Sequence, residues 1–152
     1  MREKNIIIKK INTTDVLNVV ELLKRLYFEL GEEKESNHHV TEELISGFIK
    51  NNNYEILKAS NNNNIIGFIT LSESQAIYCG GKYGLIDELY VLPSYRSGKI
   101  GALLIEEAKK IGLEKKWMRI AVTAPSSNNS RALKFYKENE FDFAGPKLSY
   151  EL

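Results

Sequence analysis

The chain is predicted to adopt an α+β (α/β) fold, a mixed and mostly antiparallel sheet of six to seven strands flanked by about four helices. Two observations lead to this prediction. Segments of β character and of helical periodicity follow one another as strand, two helices, hairpin, strand, helix, strand, helix and final strands. The strand–helix–strand unit needs a crossover connection, so its two strands should pair in parallel.

The first half of the chain is predicted to contain a strand, two helices and an antiparallel hairpin. These elements are residues 5–11, 16–30, 42–49, and the two hairpin strands 54–59 and 65–71. Thr13, Thr14 or Asp15 is expected to cap the first helix and Thr41 the second, because hydroxyl and carboxylate side chains accept hydrogen bonds from free amides. The asparagine-rich run 61–64 supplies the turn of the hairpin.

The second half is predicted to supply the parallel pair and the closing strands. Its elements are a strand at 85–92, a helix with an apolar stripe over 100–111, a strand at 118–124, a helix at 130–139, and strands at 141–144 and 147–152. Asn139 is expected to end the last helix in the left-handed conformation. Neither repeats nor a linker interrupt the sequence, so residues 1–152 are expected to form one domain.

Composition narrows the class of protein. The 152 residues are 43% hydrophobic and 27% charged, with a formal net charge of +1, which argues against a nucleic-acid or membrane surface as the partner. One cysteine excludes an internal disulfide and suits a reducing compartment. No run resembles a signal peptide or a membrane span, so a cytoplasmic location is expected.

The segment from residue 96 to 101 has the properties of an anion-binding turn. It joins an apolar strand, which stops at Pro93, to the predicted helix, whose first amides and dipole attract negative charge. Arg96 and Lys99 add two cations where positive charge is otherwise disfavoured. The P-loop pattern G-x-x-x-x-G-K-S/T and the dinucleotide pattern G-x-G-x-x-G are both absent here. A solvated basic turn is the alternative interpretation.

Two motifs resemble those of the GCN5-related N-acetyltransferase (GNAT) superfamily. Residues 96–101, RSGKIG, resemble its motif A, Q/R-x-x-G-x-G/A, with Lys99 in place of the usual glycine. Residues 129–141 resemble its motif B, N-x-x-A-x-x-F/L-Y-x-x-x-G-F, with Glu140 in place of glycine. The order of elements is similar along essentially the whole chain. We therefore expect the GNAT fold, with its parallel pair splayed around an acyl-CoA.

The resemblance implies an acetyl-CoA-dependent N-acetyltransferase, an acyltransferase that acts on a primary amine by direct transfer in a ternary complex. Acetyl-CoA is then the cosubstrate and no metal is expected. The positions that the resemblance places against it are Leu89, Tyr90, Val91, Arg96, Ser97, Gly98, Lys99, Ile100, Gly101, Ala102, Asn129, Ala132 and Tyr136. A non-catalytic acyl-CoA-binding or regulatory domain, and a transferase using another acyl-CoA, remain as alternatives.

Acetyl transfer to an amine needs a base for the amine and a proton for the leaving thiolate. Asp87 and Glu88 are the candidate bases, and since successive strand residues face opposite sides, only one of them should reach the site. Tyr136 is the candidate acid, because the matching tyrosine of the family protonates the CoA sulfur. Its alternative role is that of a core aromatic residue.

Other polar features carry less weight. Cys79 lies beside two glycines with no evident base, and the adjacent His38 and His39 lack the i, i+4 spacing of a helical metal pair. Six glutamates between Glu29 and Glu43 could attract a cationic amine, although a solvated surface is an equal interpretation. The acceptor amine, the acyl-chain preference and the oligomeric state, a homodimer included, stay open.

Overall fold

Five strands form one sheet in the order β1-β2-β3-β4-β5 in the computed structural model, which describes residues 5–31, 39–123, 130–145 and 147–152. The strands are β1 (Ile6–Lys10), β2 (Tyr54–Asn61), β3 (Asn64–Ala76), β4 (Gly81–Val91) and β5 (Ile120–Val122). The helices are α1 (Val16–Glu29), α2 (Glu42–Ile49), α3 (Ile100–Glu114) and α4 (Ser130–Glu138). Short 3-10 turns span Thr13–Asp15, Ile77–Cys79 and Pro93–Gly98. The mixed α+β architecture is confirmed.

The first four strands pair antiparallel with their sequence neighbours. β5 returns beside β4 after the α3 crossover. Just before β5, the Met118 amide donates to the Lys82 carbonyl at 2.8 Å and the Gly84 amide donates to the Arg119 carbonyl at 3.0 Å. Both segments advance in the same direction between these bonds, as parallel strands do.

Helices cover both faces of the sheet. On one face, α1 and α2 pack against the β2, β3 and β4 side chains Ile56, Phe68 and Tyr90. The intervening residues of β2 and β3, among them Leu57, Ile69 and Leu71, are also fully buried and face the other way, toward α3. The sheet therefore has two apolar faces, which explains why residues 65–71 of β3 are almost continuously hydrophobic.

A register shift interrupts the pairing of β3 with β4. Thr70 pairs with Glu88, but the next residue of β3, Leu71, pairs with Ile86. Asp87 is therefore the extra residue of a β-bulge, a device that bends a strand and changes the direction of its side chains. Because directly paired residues share a face, Glu88 lies with Thr70 on the α1 face and Ile86 lies with Leu71 on the α3 face.

Helix and turn ends differ from prediction at two places. Asp15, one of the three predicted caps, is the N-cap residue of α1, but its side chain caps no amide of that helix. Asn12 instead caps the preceding 3-10 turn through the Thr14 amide, and the Asp15 carboxylate accepts the Asn12 amide at 2.9 Å. The Thr41 cap is confirmed, with Oγ1 accepting the Leu44 amide at 3.1 Å. After α4 the left-handed residue is Glu140, with φ of 71°, and not Asn139. In the hairpin, Asn62 and Asn63 both have positive φ.

The sheet has fewer strands than predicted because residues 141–144 and 147–152 are not strands in the part of the chain that the structure describes. Their alternating sequence favours an extended backbone, but a strand also needs a paired neighbour for its amides and carbonyls. Phe143, Leu148 and Tyr150 are correspondingly exposed. β5 is also shorter than the predicted 118–124, and residue 124 lies outside the described residues.

Contacts within the chain define two compact units, Met1–Ala121 and Val122–Leu152. The first contains the four antiparallel strands with α1, α2 and α3. The second contains α4, where Tyr136 packs edge-to-face with Phe135 and Phe141. Of the helices that the structure describes, none is long and apolar enough to span a membrane.

Candidate active site

The turn between β4 and α3 presents free amides. Lys99 is the N-cap residue of α3 and its side chain caps no amide, while the first intrahelical bond runs from the Leu103 amide to the Lys99 carbonyl at 3.1 Å. The amides of Ile100, Gly101 and Ala102 precede that bond and lack intrahelical acceptors. Together with the dipole of a helix of 15 residues, they form a suitable site for a pyrophosphate.

Lys99 is the residue of this turn that adopts a left-handed backbone conformation. Its φ is 59° and its ψ is 18°, in the left-handed region, at the position where the resembled motif usually has glycine. Gly98, one residue earlier, has no positive φ, so the glycine of this turn is not the residue in the left-handed conformation. The Lys99 side chain is exposed and forms no ion pair with the residues that the structure describes. A cation therefore stands beside the free amides, together with exposed Ser97.

Arg96 is placed differently from the expectation that its charge faces the anion. Its Nε donates to the Val91 carbonyl at 2.8 Å, and its Nη2 donates to both carboxylate oxygens of Glu29 at 2.9 and 2.7 Å. The guanidinium also lies 5.4 Å from the centre of the Tyr90 ring. The side chain thus contacts α1 and β4, while the Arg96 backbone belongs to the turn.

The predicted acyl-CoA strand positions Leu89, Tyr90 and Val91 lie at the carboxyl end of β4. They pair with Ile69, Phe68 and Gly67 of β3. A side chain at Gly67 would place its Cβ 2.7 Å from the Tyr90 carbonyl, so the two strands approach closely here. The Val91 carbonyl already accepts a bond from Arg96.

Glu88 lies in a cluster of hydroxyl groups on the α1 face. Its amide donates to Thr70 Oγ1 at 2.8 Å, and the Thr70 hydroxyl donates back to Glu88 Oε2. The Tyr27 hydroxyl donates to Oε1 at 3.2 Å, and the Tyr54 hydroxyl lies close enough to lower the pKa of this carboxyl. Burial raises the pKa of Glu88, and the nearby Asp87 charge raises it further, while the hydroxyl donors act in the opposite direction. A half-buried carboxyl with a raised pKa is a stronger proton acceptor than an ordinary surface carboxylate.

Asp87, the other candidate base, is exposed. The bulge invalidates the simple alternation argument that separated the two carboxylates, because two β4 residues here oppose one β3 residue. Asp87 remains close enough to raise the pKa of both Glu88 and Tyr54. The hydroxyl cluster surrounds Glu88, so Glu88 has the surroundings of a base and Asp87 those of an electrostatic neighbour.

Three residues of the cluster were missed by the sequence analysis. Tyr27 belongs to the helical stripe that predicts α1, Tyr54 begins a predicted strand, and Thr70 interrupts the apolar run of β3. Burial, with the Glu88 charge as a second cause, raises the pKa of Tyr54 far above its usual range. Thr70, 2% exposed, offered the one local signal, a hydroxyl inside a buried strand.

Tyr136 lies on α4 in the second unit and is 9% exposed. Burial raises the pKa of its phenol to about 12, so the hydroxyl keeps its proton at neutral pH. None of the described residues forms a hydrogen bond with that hydroxyl. A bound acceptor atom would give a partner to this buried donor, which has none within the described part of the chain. Ala132 lies on the same helix, and Asn129 lies outside the described residues.

The remaining candidates contribute little. The Cys79 thiol contacts two backbone carbonyls, those of Ala76 and Gly81, at 3.4 and 3.3 Å. His39 is exposed, with its ring centre 6.4 Å from that of Tyr27, and His38 lies outside the described residues. Of the six glutamates from 29 to 43, those at 32, 33 and 35 also lie outside, and Glu29 is paired with Arg96. Within the described part of the chain, no cluster of three or more His, Cys, Asp or Glu side chains could hold a metal ion.

Comparison with known families gives one match that covers most of the chain. A model described as Acetyltransferase (GNAT) family matches residues 17–141. This range includes both carboxylates of β4, the turn before α3 and the whole of α4. A search of curated protein sequences found no match.

Solved structures share the fold at low sequence identity. An aminoglycoside acetyltransferase from an uncultured soil metagenomic sample, solved with trehalose, has a TM-score of 0.80 at 23% identity, covering 97% of this chain and 96% of its own. The ribosomal-protein-alanine N-acetyltransferase of Brucella melitensis biovar Abortus has a TM-score of 0.76 at 18% identity, covering 97% and 99%. A transcriptional regulator from Bacillus halodurans has a TM-score of 0.82 at 20% identity, covering 97% and 100%.

Proposed function

Since this chain belongs to the GNAT family of acetyltransferases, we propose that it transfers the acetyl group of acetyl-CoA to a primary amine of a small molecule or peptide. The observation that carries the proposal is the half-buried Glu88 carboxylate, held by hydroxyl groups on the strand that leads through the Pro93–Gly98 turn to the uncapped N-terminus of α3. One strand thus joins a proton acceptor to an anion site. The transfer is direct, in a ternary complex, because the Cys79 thiol contacts only carbonyls and has no activating base among the described residues.

Each part of the reaction has a residue suited to it. The amides of Ile100, Gly101 and Ala102 bind the pyrophosphate, and a backbone amide of 89–91 polarises the thioester carbonyl. Acetyl-CoA supplies the activated acetyl group. Glu88 takes the proton of the attacking amine, directly or through a water, and Tyr136 gives a proton to the departing thiolate.

The acceptor is an amine that approaches from the side of α1 and α2. The hydroxyls of Tyr27 and Tyr54 and the carboxylate of Glu88 all lie on that face of the sheet. The names of two structural relatives include an aminoglycoside and a ribosomal-protein alanine as acetyl acceptors. Both classes of acceptor carry amines, and both belong in the first screen.

The proposal is tested by thiol release with acetyl-CoA and a panel of aminoglycosides, polyamines and peptides. We expect release with at least one amine, and kcat/KM that rises with pH through the raised pKa of Glu88. Glu88→Gln should remove that rise and lower kcat by about 100-fold to 10,000-fold. Asp87→Asn should keep most of the activity and shift the rise to lower pH, because it removes a charge that raises the Glu88 pKa.

Calorimetry with CoA separates this function from its alternatives. Binding of CoA without thiol release from any amine would favour a regulatory acyl-CoA-binding domain. Faster turnover with a longer acyl-CoA would indicate a different donor. A folded Gly101→Asp variant that retained the parent's CoA affinity would remove the α3 turn from the site, because that substitution puts bulk and negative charge against the free amides.

A further inference from the structure

The Arg96 side chain is held by contacts with the protein itself. Its guanidinium bonds to the Val91 carbonyl at 2.8 Å and to Glu29 Oε2 at 2.7 Å, and it lies over the ring of Tyr90. The Tyr90 hydroxyl donates to Glu29 Oε1 at 2.9 Å, so the carboxylate is held from two sides. Tyr90 itself is 4% exposed. The ion pair therefore rests on a buried aromatic residue of β4.

The position of Glu29 is unfavourable unless it is paired. It is the last residue of α1, where the negative end of the helix dipole disfavours a carboxylate. Arg96 lies 67 positions later in the chain and supplies the compensating charge. The bond between them ties the end of α1 to the 3-10 turn Pro93–Gly98, which leads directly into Lys99 and α3.

We propose that Glu29 and Arg96 are a positioning pair for acyl-CoA, in which the Glu29 carboxylate fixes Arg96 and thereby the turn that aims the α3 amides at the pyrophosphate. This inference rests on the proposed function. Arg96 contacts the protein through its side chain, while Lys99 is the cation that faces the phosphate. Binding of the cosubstrate thus depends on a carboxylate, even though acyl-CoA is itself an anion.

The sign of one substitution separates this role from a direct one. If Arg96 bound the phosphate and Glu29 merely competed for it, neutralising Glu29 would free the guanidinium, remove a repulsive charge and tighten CoA binding. If Glu29 positions Arg96, the same change loosens the turn and weakens binding. The loss of a hydrogen bond to a charged group changes an equilibrium constant by about tenfold to a hundredfold.

The test uses the full chain and measures CoA affinity by calorimetry for Glu29→Gln and Arg96→Lys. We expect each to raise the Kd for CoA between about tenfold and a hundredfold. Lysine keeps the charge, but its single ammonium nitrogen cannot span the Val91 carbonyl and the Glu29 carboxylate, which Arg96 contacts through two nitrogens, Nε and Nη2. The double variant should have a Kd for CoA no higher than that of the single variant with the higher Kd, because both substitutions act through one contact. The matched control is Glu21→Gln, an exposed α1 carboxylate 3.9 Å from Lys24, and its Kd should equal the parent's.

Steady-state kinetics add a measurement that a general loss of stability would not reproduce. KM for acetyl-CoA should rise in both variants while kcat at saturation and KM for the acceptor stay near the parent values. An unchanged or tighter Kd in Glu29→Gln, with the parent binding CoA normally, would overturn the positioning role alone. A parent chain that bound no CoA would overturn the proposed function as well, so the two failures are distinguishable.

Discussion

Thr70→Val should both destabilise the protein and change the pH at which it works. The Thr70 hydroxyl accepts the Glu88 amide at 2.8 Å and donates to the Glu88 carboxylate, and it is 2% exposed. Valine has the same shape without the hydroxyl, so the amide loses its acceptor inside the protein. A buried unsatisfied group costs about 1 to 3 kcal/mol. For a chain of this size each kcal/mol lowers Tm by about 2 to 4 °C.

The loss of stability in Thr70→Val should also depend on pH, and the ionisation of Glu88 sets the direction of that dependence. The Thr70 hydroxyl lowers the Glu88 pKa against the larger effect of burial, so its removal raises that pKa further. When the pKa of a carboxyl is raised in the folded state, the free energy of unfolding falls as pH rises from the ordinary pKa to the raised one. Below the ordinary carboxyl pKa, Glu88 is protonated in both states and only the amide contributes. The difference in unfolding free energy between variant and parent should therefore grow from low pH to neutrality.

Turnover provides the second readout. A carboxyl can act as a base only when it is ionised, so if the proposed role of Glu88 is correct, the rising part of the kcat/KM profile should move to higher pH in Thr70→Val. Thr70→Ser keeps the hydroxyl and is the control, with a profile close to the parent's. Urea unfolding at several pH values and the two pH–rate profiles are sufficient. A Thr70→Val profile that coincides with the parent's would refute the claim that this hydroxyl tunes the base.

Three further substitutions test other parts of the molecule. Tyr136→Phe should lower kcat by about 100-fold to 10,000-fold with CoA affinity and Tm unchanged, and a folded variant with full turnover would disprove the acid role. Lys99→Gly should raise the free energy of unfolding by about 0.5 to 1 kcal/mol, since glycine accepts the left-handed conformation, yet calorimetry should show weaker CoA binding. Gly84→Ala would put a Cβ 2.2 Å from Trp117 Cζ3 and should lower the free energy of unfolding in urea by about 1 to 3 kcal/mol. Gly47→Ala is its control, because a Cβ added there would meet no atom within 4 Å and should not destabilise the protein.

The order of elements could be predicted from the sequence because it depends on local signals. Periodicity places both ends of α1 within one residue and the start of α3 at its observed residue, although α3 continues to Glu114, and Thr41 caps α2 as expected. The strand predictions for 141–144 and 147–152 fail because extended character is local whereas a pairing partner is not. Likewise, Glu140 and not Asn139 adopts positive φ after α4, although asparagine is the residue with the better intrinsic preference.

The candidate site was predictable where the chain is continuous and unpredictable where it is assembled from distant segments. Residues 96–101 form the expected turn before α3, with its amides uncapped. The partner of Arg96 was not foreseen, because Glu29 lies on another element. The hydroxyls around Glu88 come from α1, β2 and β3, and nothing in the local pattern of any of the three indicates that they meet.

The β-bulge at Asp87 divides β4 into two halves whose side chains are out of phase. Gly84 pairs with Glu73 and faces Trp117, whereas Glu88 pairs with Thr70 and faces Tyr27, although strict alternation would put both even-numbered residues on one side. Removing Asp87 would restore regular pairing and leave every other side chain of β4 on its present face. Removing Leu85 instead would turn Ile86 toward α1. Asp87 is therefore the residue whose removal leaves the rest of β4 in place, and a variant that lacks it would keep Glu88 facing Thr70 while losing the bend.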